Sequence, residues 1–366
     1  MNKEAQQLFK TGQWRTAAEA QQWAAAVDVD AADLAAMIDL IVSRPVTTDI
    51  DRQPVRRAVL HALVLRQPSE ALFRPMVKAL RIALPDVRTL LLELLPRVNS
   101  PADHIELVEL LRAPEADVRA AAARILVEVG AKPAVAALSP MILERGFAGV
   151  REGLEVVMRL AGPAALPLLD RMLGRPDVSD RLLAIRWLGD AQIMARNAGG
   201  AQRMLLPLLR DPHESIAIAA AIAIGQISNE DEYHALLVPL VEGKNLKLAG
   251  TIIEGLKRFP SERSAEVLDR KLVSGPNVLR LACLSAVENA AQALKAGAVV
   301  EIDAFVGVVV GAMGHPQIAV RNKAVEVMGL LSKSERVEVG RTIVWLLRSG
   351  DVNTRRMAAE VLKTIK

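Results

Sequence analysis

The chain has 366 residues, of which 51% are hydrophobic but only 3% aromatic, so its interior must be built from Ala, Leu, Val and Ile, a composition that favours helix. A net charge of +4, from 46 basic and 42 acidic residues, falls short of the field of a dedicated nucleic-acid binder. One cysteine excludes an intrachain disulfide framework and fits a reducing compartment, so a cytoplasmic location is expected.

Residues 1–20 are polar where an export signal needs its apolar core, and no such signal is expected there. Residues 1–48 read as an N-terminal helical cap, with Leu34, Met37, Ile38 and Ile41 on one face behind Asp30. Trp14 and Trp23 lie in this cap and read as packing residues.

From residue 49 to 366 one unit recurs, most regularly as EADVRAAAARILVEVG at 115–130. Aligning its Val-Arg step gives Arg56, Arg88, Arg119, Arg151, Arg181, Ala217, Ala249, Arg280, Arg321 and Arg355, spaced 30 to 41 residues apart. Seven positions on stand Leu63, Leu95, Leu126, Met158, Leu188, Ile224, Leu256, Val287, Met328 and Leu362, all apolar. A period in the thirties is that of a two-helix repeat, and such an array needs a cap over its first apolar face. Each marked helix, B, follows another apolar helix, A. Prolines at 75, 140, 167, 207 and 239 sit in or near A-helix first turns, where they cost no hydrogen bond or kink the helix.

Units such as LLRAPEADVRAAAARILVEVG, LLRDPHESIAIAAAIAIG and LLRSGDVNTRRMAAEVL resemble the HEAT-repeat family, in particular the bacterial units of phycobilisome lyase-like proteins. The resemblance covers roughly residues 51–366. It implies an all-α, right-handed alpha-alpha superhelix of the HEAT/ARM type, a solenoid of about ten repeats. It also implies a ladder between repeats, joining Asp86, Asp117, Asp177, Asp211 and Asp351 to the aligned arginines. Ala217 and Ala249 depart from that pattern.

Two spacings are long. ARNAGGAQR at 195–203 signals an extended loop, and VENAAQALKAGAVVEID at 287–303 a lengthened B helix with a longer turn. The apolar run at 304–314 is too short to span a bilayer.

Catalytic chemistry is not legible. His61, His104, His213, His234 and His315 are scattered singly, without ligand spacing, so no metal site is expected; His213 and His315 read as turn residues beside Pro212 and Pro316. Cys283 falls in a small-residue B-helix column with Ala122, Ala184, Ala220, Ala324 and Ala358 and reads as a buried thiol. Trp187 and Trp345 read as packing residues. No phosphate-binding or dinucleotide glycine motif and no nucleophile elbow is present, so no cofactor and no enzymatic activity are expected.

The informative pattern lies one and five positions beyond the aligned arginine, away from the core column. There Leu182/Arg186, Ile218/Ile222, Gly250/Glu254 and Leu281/Ser285 replace the more polar pairs found earlier and later. On a concave face these make an apolar groove with charged ends, the form of a helix-binding surface; tighter curvature that buries Ile218 and Ile222 is the competing explanation. The reading is a non-catalytic scaffold that docks a partner's apolar helix or peptide, with acidic flanks. The alternatives are a lyase-type HEAT protein acting on a chromophore or its carrier, and a DNA-binding, glycosylase-like HEAT protein using a basic patch at Arg56, Arg57, Arg81 and Arg88. Scarce aromatic side chains disfavour nucleic acid.

Overall fold

The computed structural model describes residues 70–80, 85–95, 104–296 and 302–331, with isolated positions between 344 and 359. The cap at 1–48, Arg56, Arg57, Arg81 and Trp345 lie outside the described residues. Every regular element among the described residues is helical. The chain divides into two compact units, Met1–Arg171 and Met172–Lys366.

The first unit contains α1 (Glu70–Leu80), α2 (Pro85–Leu94), α3 (His104–Leu110), α4 (Ala116–Glu128), α5 (Lys132–Leu143) and α6 (Val150–Ala161); α7 (Leu166–Leu173) follows. The A helices α1, α3 and α5 touch in sequence, and so do the B helices α4 and α6, while α3 also packs on α4 and α5 on α6. Two layers of helices result.

The second unit repeats the scheme with α8 (Val178–Leu188), α9 (Ala191–Met194), α10 (Ala198–Leu205), α11 (Glu214–Ile227), α12 (Glu230–Leu236), α13 (Leu246–Gly255), α14 (Glu262–Ser274), α15 (Asn277–Lys295), α16 (Asp303–Met313) and α17 (Ile318–Leu331). Its B layer runs α8, α11, α13, α15, α17, each packed on the next; α14 and α16 pack together in the A layer.

The two sequence columns form the seam between the layers. Ala122, Ala184, Ala220, Cys283 and Ala324 are fully buried, as are Leu95, Leu126, Leu188, Ile224, Leu256 and Val287. The four-residue offset puts both columns on one buried stripe of each B helix, where small and larger side chains share the packed interior. The prolines mark a change of helix type. Pro207 and Pro239 open the 3-10 segments Leu206–Arg210 and Val238–Glu242, while Pro75 and Pro140 lie inside α1 and α5.

The loop expected at 195–203 is not one. Asp190 caps α9 through the Gln192 and Ile193 amides, Met194 anchors the insertion by complete burial, and α10 begins at Ala198 with both glycines inside it. Capping and an apolar anchor outweigh the helix-breaking tendency of Gly199 and Gly200. The longer B helix was legible: α15 has 19 residues. No helix among the described residues is long and apolar enough to cross a membrane.

Candidate functional site

Leu182 and Arg186 lie on α8, Ile218 and Ile222 on α11, Gly250 and Glu254 on α13, and Leu281 and Ser285 on α15, four B helices that touch in succession. Ile222 is 48% exposed and Leu281 37%, whereas Leu182 and Ile218 are half-buried. Arg186 and Glu254 are exposed. Burial within the stack therefore accounts for part of the apolar pattern and leaves Ile222 and Leu281 presented to solvent. Gly250 is buried, and a β-carbon there would make only ordinary contacts with α15, 3.8 Å from Leu279 Cδ2 and 4.0 Å from Ala282 Cβ.

Within each unit, neighbouring repeats are joined by ion pairs. Arg88 Nη1 meets Asp117 at 3.2 Å and Arg181 meets Asp211. Arg119 pairs instead with Glu152 at 3.3 Å, and its Nη1 donates to the carbonyls of Ala113 and Pro114. Asp177 is no rung; it caps α8 by accepting from the Ser179 and Asp180 amides. Where Ala217 and Ala249 lack the arginine, Lys247 Nζ bridges to Glu214 at 2.7 Å on the surface. Of the basic patch expected at Arg56, Arg57, Arg81 and Arg88, only Arg88 lies among the described residues, where it pairs with Asp117.

A second set of links, unseen in the sequence, ties A helices together. Gln202 donates to Ser228 and Glu232, His234 Nε2 is hydrogen bonded to Ser264 Oγ at 3.0 Å, and Lys271 reaches Glu242. Burial, then the Arg263 guanidinium, hold His234 below the usual imidazole range. Polar residues at otherwise apolar A-helix positions were the available signal, but their partners stand about thirty residues away.

Cys283 is buried, which pushes its thiol up to about 12, as befits a packing residue and not a nucleophile. Trp187 is half-buried. No group of three or more His, Cys, Asp or Glu side chains among the described residues could hold a metal. In the first unit a cleft of about 430 Å³ is lined by Glu109, Arg112, Ala113, Pro114, Glu115 and Val118. Its arginine is already held by Glu144 at 2.7 Å and lies over the Phe147 ring.

No family model and no curated protein matches the chain. Among solved structures, an engineered protein from a structural genomics consortium aligns over 100% of this chain and 99% of its own, at 18% identity and a TM-score of 0.35. A likeness of that size does not establish a common fold.

Proposed function

We propose that the two-layered helices are HEAT-like repeats behind an N-terminal cap, and that the chain is a non-catalytic cytoplasmic scaffold whose B-helix face from α8 to α15 docks an amphipathic helix or peptide of another protein. The carrying observation is the partial exposure of Ile222 and Leu281 on helices otherwise sealed along their apolar columns. Each would contribute roughly 1 kcal/mol on being covered, since about half its area is already buried. Arg186 and Glu254, exposed at either side of Ile222, favour an occupant with an acid facing α8 and a base facing α13.

The test places a photo-crosslinking residue at position 222 and, as a control, at Ile105, which is 71% exposed on α3. Partner crosslinks are expected at 222 and not at 105, and are expected to vanish from position 222 in an Ile218→Asp background that remains helical. A folded Ile218→Asp/Ile222→Asp variant that retains every specific partner would remove the groove as the docking site.

A further inference from the structure

The rungs of the arginine ladder are not equally neutralised. Arg88, Arg119 and Arg181 each have a carboxylate, Asp117, Glu152 and Asp211. Arg280 and Arg321 have none at ion-pair distance among the described residues, and their hydrogen bonds go to neutral carbonyls. Arg280 Nη2 donates to Val273 at 3.1 Å, and Arg321 Nη1 to His315 and Pro316, both at 2.8 Å. The sequence supplies the reason. Arg181 meets Asp211 immediately before Pro212, whereas the turn facing Arg280 has His315 immediately before Pro316. Arg321 is hydrogen bonded to the His315 carbonyl, and burial first, then the Arg280 and Arg321 guanidinium groups, hold the His315 ring below the usual imidazole range.

Two atoms in this cluster are buried without a hydrogen-bond partner, Arg280 Nε and Gln317 Oε1. The Gln317 amide can turn to present its nitrogen instead, because oxygen and nitrogen are interchangeable in such a group. His315 Nδ1 accepts from the Gln317 backbone N–H at 3.1 Å, which leaves Nε2 as the protonated, donating nitrogen of the neutral ring. The positive ends of α15, whose N-cap Pro276 offers no side-chain acceptor, and α17 begin at the same edge. Donors and positive charge converge here, where the rungs at Arg88, Arg119 and Arg181 hold a carboxylate.

We propose that Arg280, His315 and Arg321 form an oxyanion notch that receives a side-chain carboxylate from a partner peptide, the ligand supplying the counter-ion this rung lacks. The rim selects a peptide over a bare anion. Val273, Val278 and Ile318, exposed by 78%, 59% and 64%, offer apolar contacts to residues flanking the acid. The notch lies at the A-to-B turns, so it stands whether or not the central groove is a docking surface.

The experiment follows the His315 ring by proton–carbon correlation spectroscopy of the full chain while the blocked peptide acetyl-Ala-Val-Glu-Leu-Ala-amide is added, with the Gln peptide as control. The Glu peptide should shift the His315 resonances in a salt-sensitive manner and the Gln peptide should not. Arg280→Gln should weaken binding about tenfold or more, and Arg321→Gln likewise, because a charge-assisted contact is lost. His315→Asp installs the missing carboxylate, and should both raise the melting temperature and abolish peptide binding. Equal response to the two peptides, undiminished binding by Arg280→Gln, or peptide still bound by His315→Asp overturns the notch. So does a response to inorganic phosphate with none to the Glu peptide. Ile222→Asp should leave the response intact; its loss there would assign the peptide to the groove instead.

Discussion

Arg181 and Asp211 meet with side chains only 13% and 8% exposed, so both charges are largely shielded from water. Burial alone would raise the Asp211 carboxyl; the Arg181 hydrogen bond and the His213 backbone N–H outweigh it and hold the group below its ordinary value. A carboxyl depressed in the folded chain contributes stability above its unfolded titration range, and that contribution is lost as pH falls through the folded value. Arg181→Ala strands a buried carboxylate and should cost about 3 kcal/mol at neutral pH, with a smaller loss in acid, where Asp211 can take a proton. Asp211→Asn should cost less, because the amide oxygen still accepts the His213 N–H. Denaturant titrations at neutral and acid pH check both; equal costs at the two pH values would show that the pair does not act through charge. The exposed Lys247–Glu214 bridge occupies the stretch where the arginine is missing, but with side chains 72% and 44% exposed it does not replace a buried rung.

At the scale of the element, α12 and α13 are fixed by one tyrosine. As α13 tightens into the 3-10 turn Leu256–Arg258, the Leu256 amide bonds to Ile253 and Glu254, and the Tyr233 hydroxyl donates to the Ile252 carbonyl at 2.6 Å. Two glycines make room for the ring. A β-carbon at Gly255 would stand 2.0 Å from the Tyr233 hydroxyl, and one at Gly225 2.9 Å from its ring. Gly255→Ala should therefore expel the hydroxyl and cost about 2 kcal/mol or more despite its better helix propensity, whereas Tyr233→Phe should cost about 1 kcal/mol by leaving the carbonyl unpaired. Calorimetric melting ranks the two, and a neutral Gly255→Ala would contradict the wedge. None of this was legible in advance. Tyr233 and Gly255 read as ordinary members of an A helix and a B helix, because a close approach across 22 residues leaves no periodic trace. The columns beginning at Arg88 were legible, since a helix buried along one stripe must repeat its apolar positions. The α9–α10 insertion was misread because Asn197, Gly199 and Gly200 were given more weight than the Asp190 cap and the Met194 anchor. The notch at His315 escaped notice because a missing carboxylate has no meaning until the facing arginine is known.

At the scale of the whole molecule, what matters is how far a perturbation travels. In the second unit the B helices touch mainly their immediate neighbours, α8 on α11, α11 on α13, α13 on α15 and α15 on α17. If these are repeats of a HEAT-like array, stability is a sum of local terms and neighbour interfaces, not the property of one central core. Stability should then be graded along the chain, and a binding surface spread over α8 to α15 could be ordered piecewise by its occupant. Removing the Arg181 rung should lower hydrogen-exchange protection in α8 and α11, which it joins to the turn at Asp211, and progressively less in α13 and α15. Protection in α16 and α17 should stay within error of the parent chain. Exchange followed peptide by peptide in Arg181→Ala and in Gly255→Ala makes the comparison internal, because the second change should centre the loss on α12 and α13 instead. Uniform loss across α8 to α17 from either change would mean that the unit unfolds as a single cooperative core, and the repeat reading would fail with it.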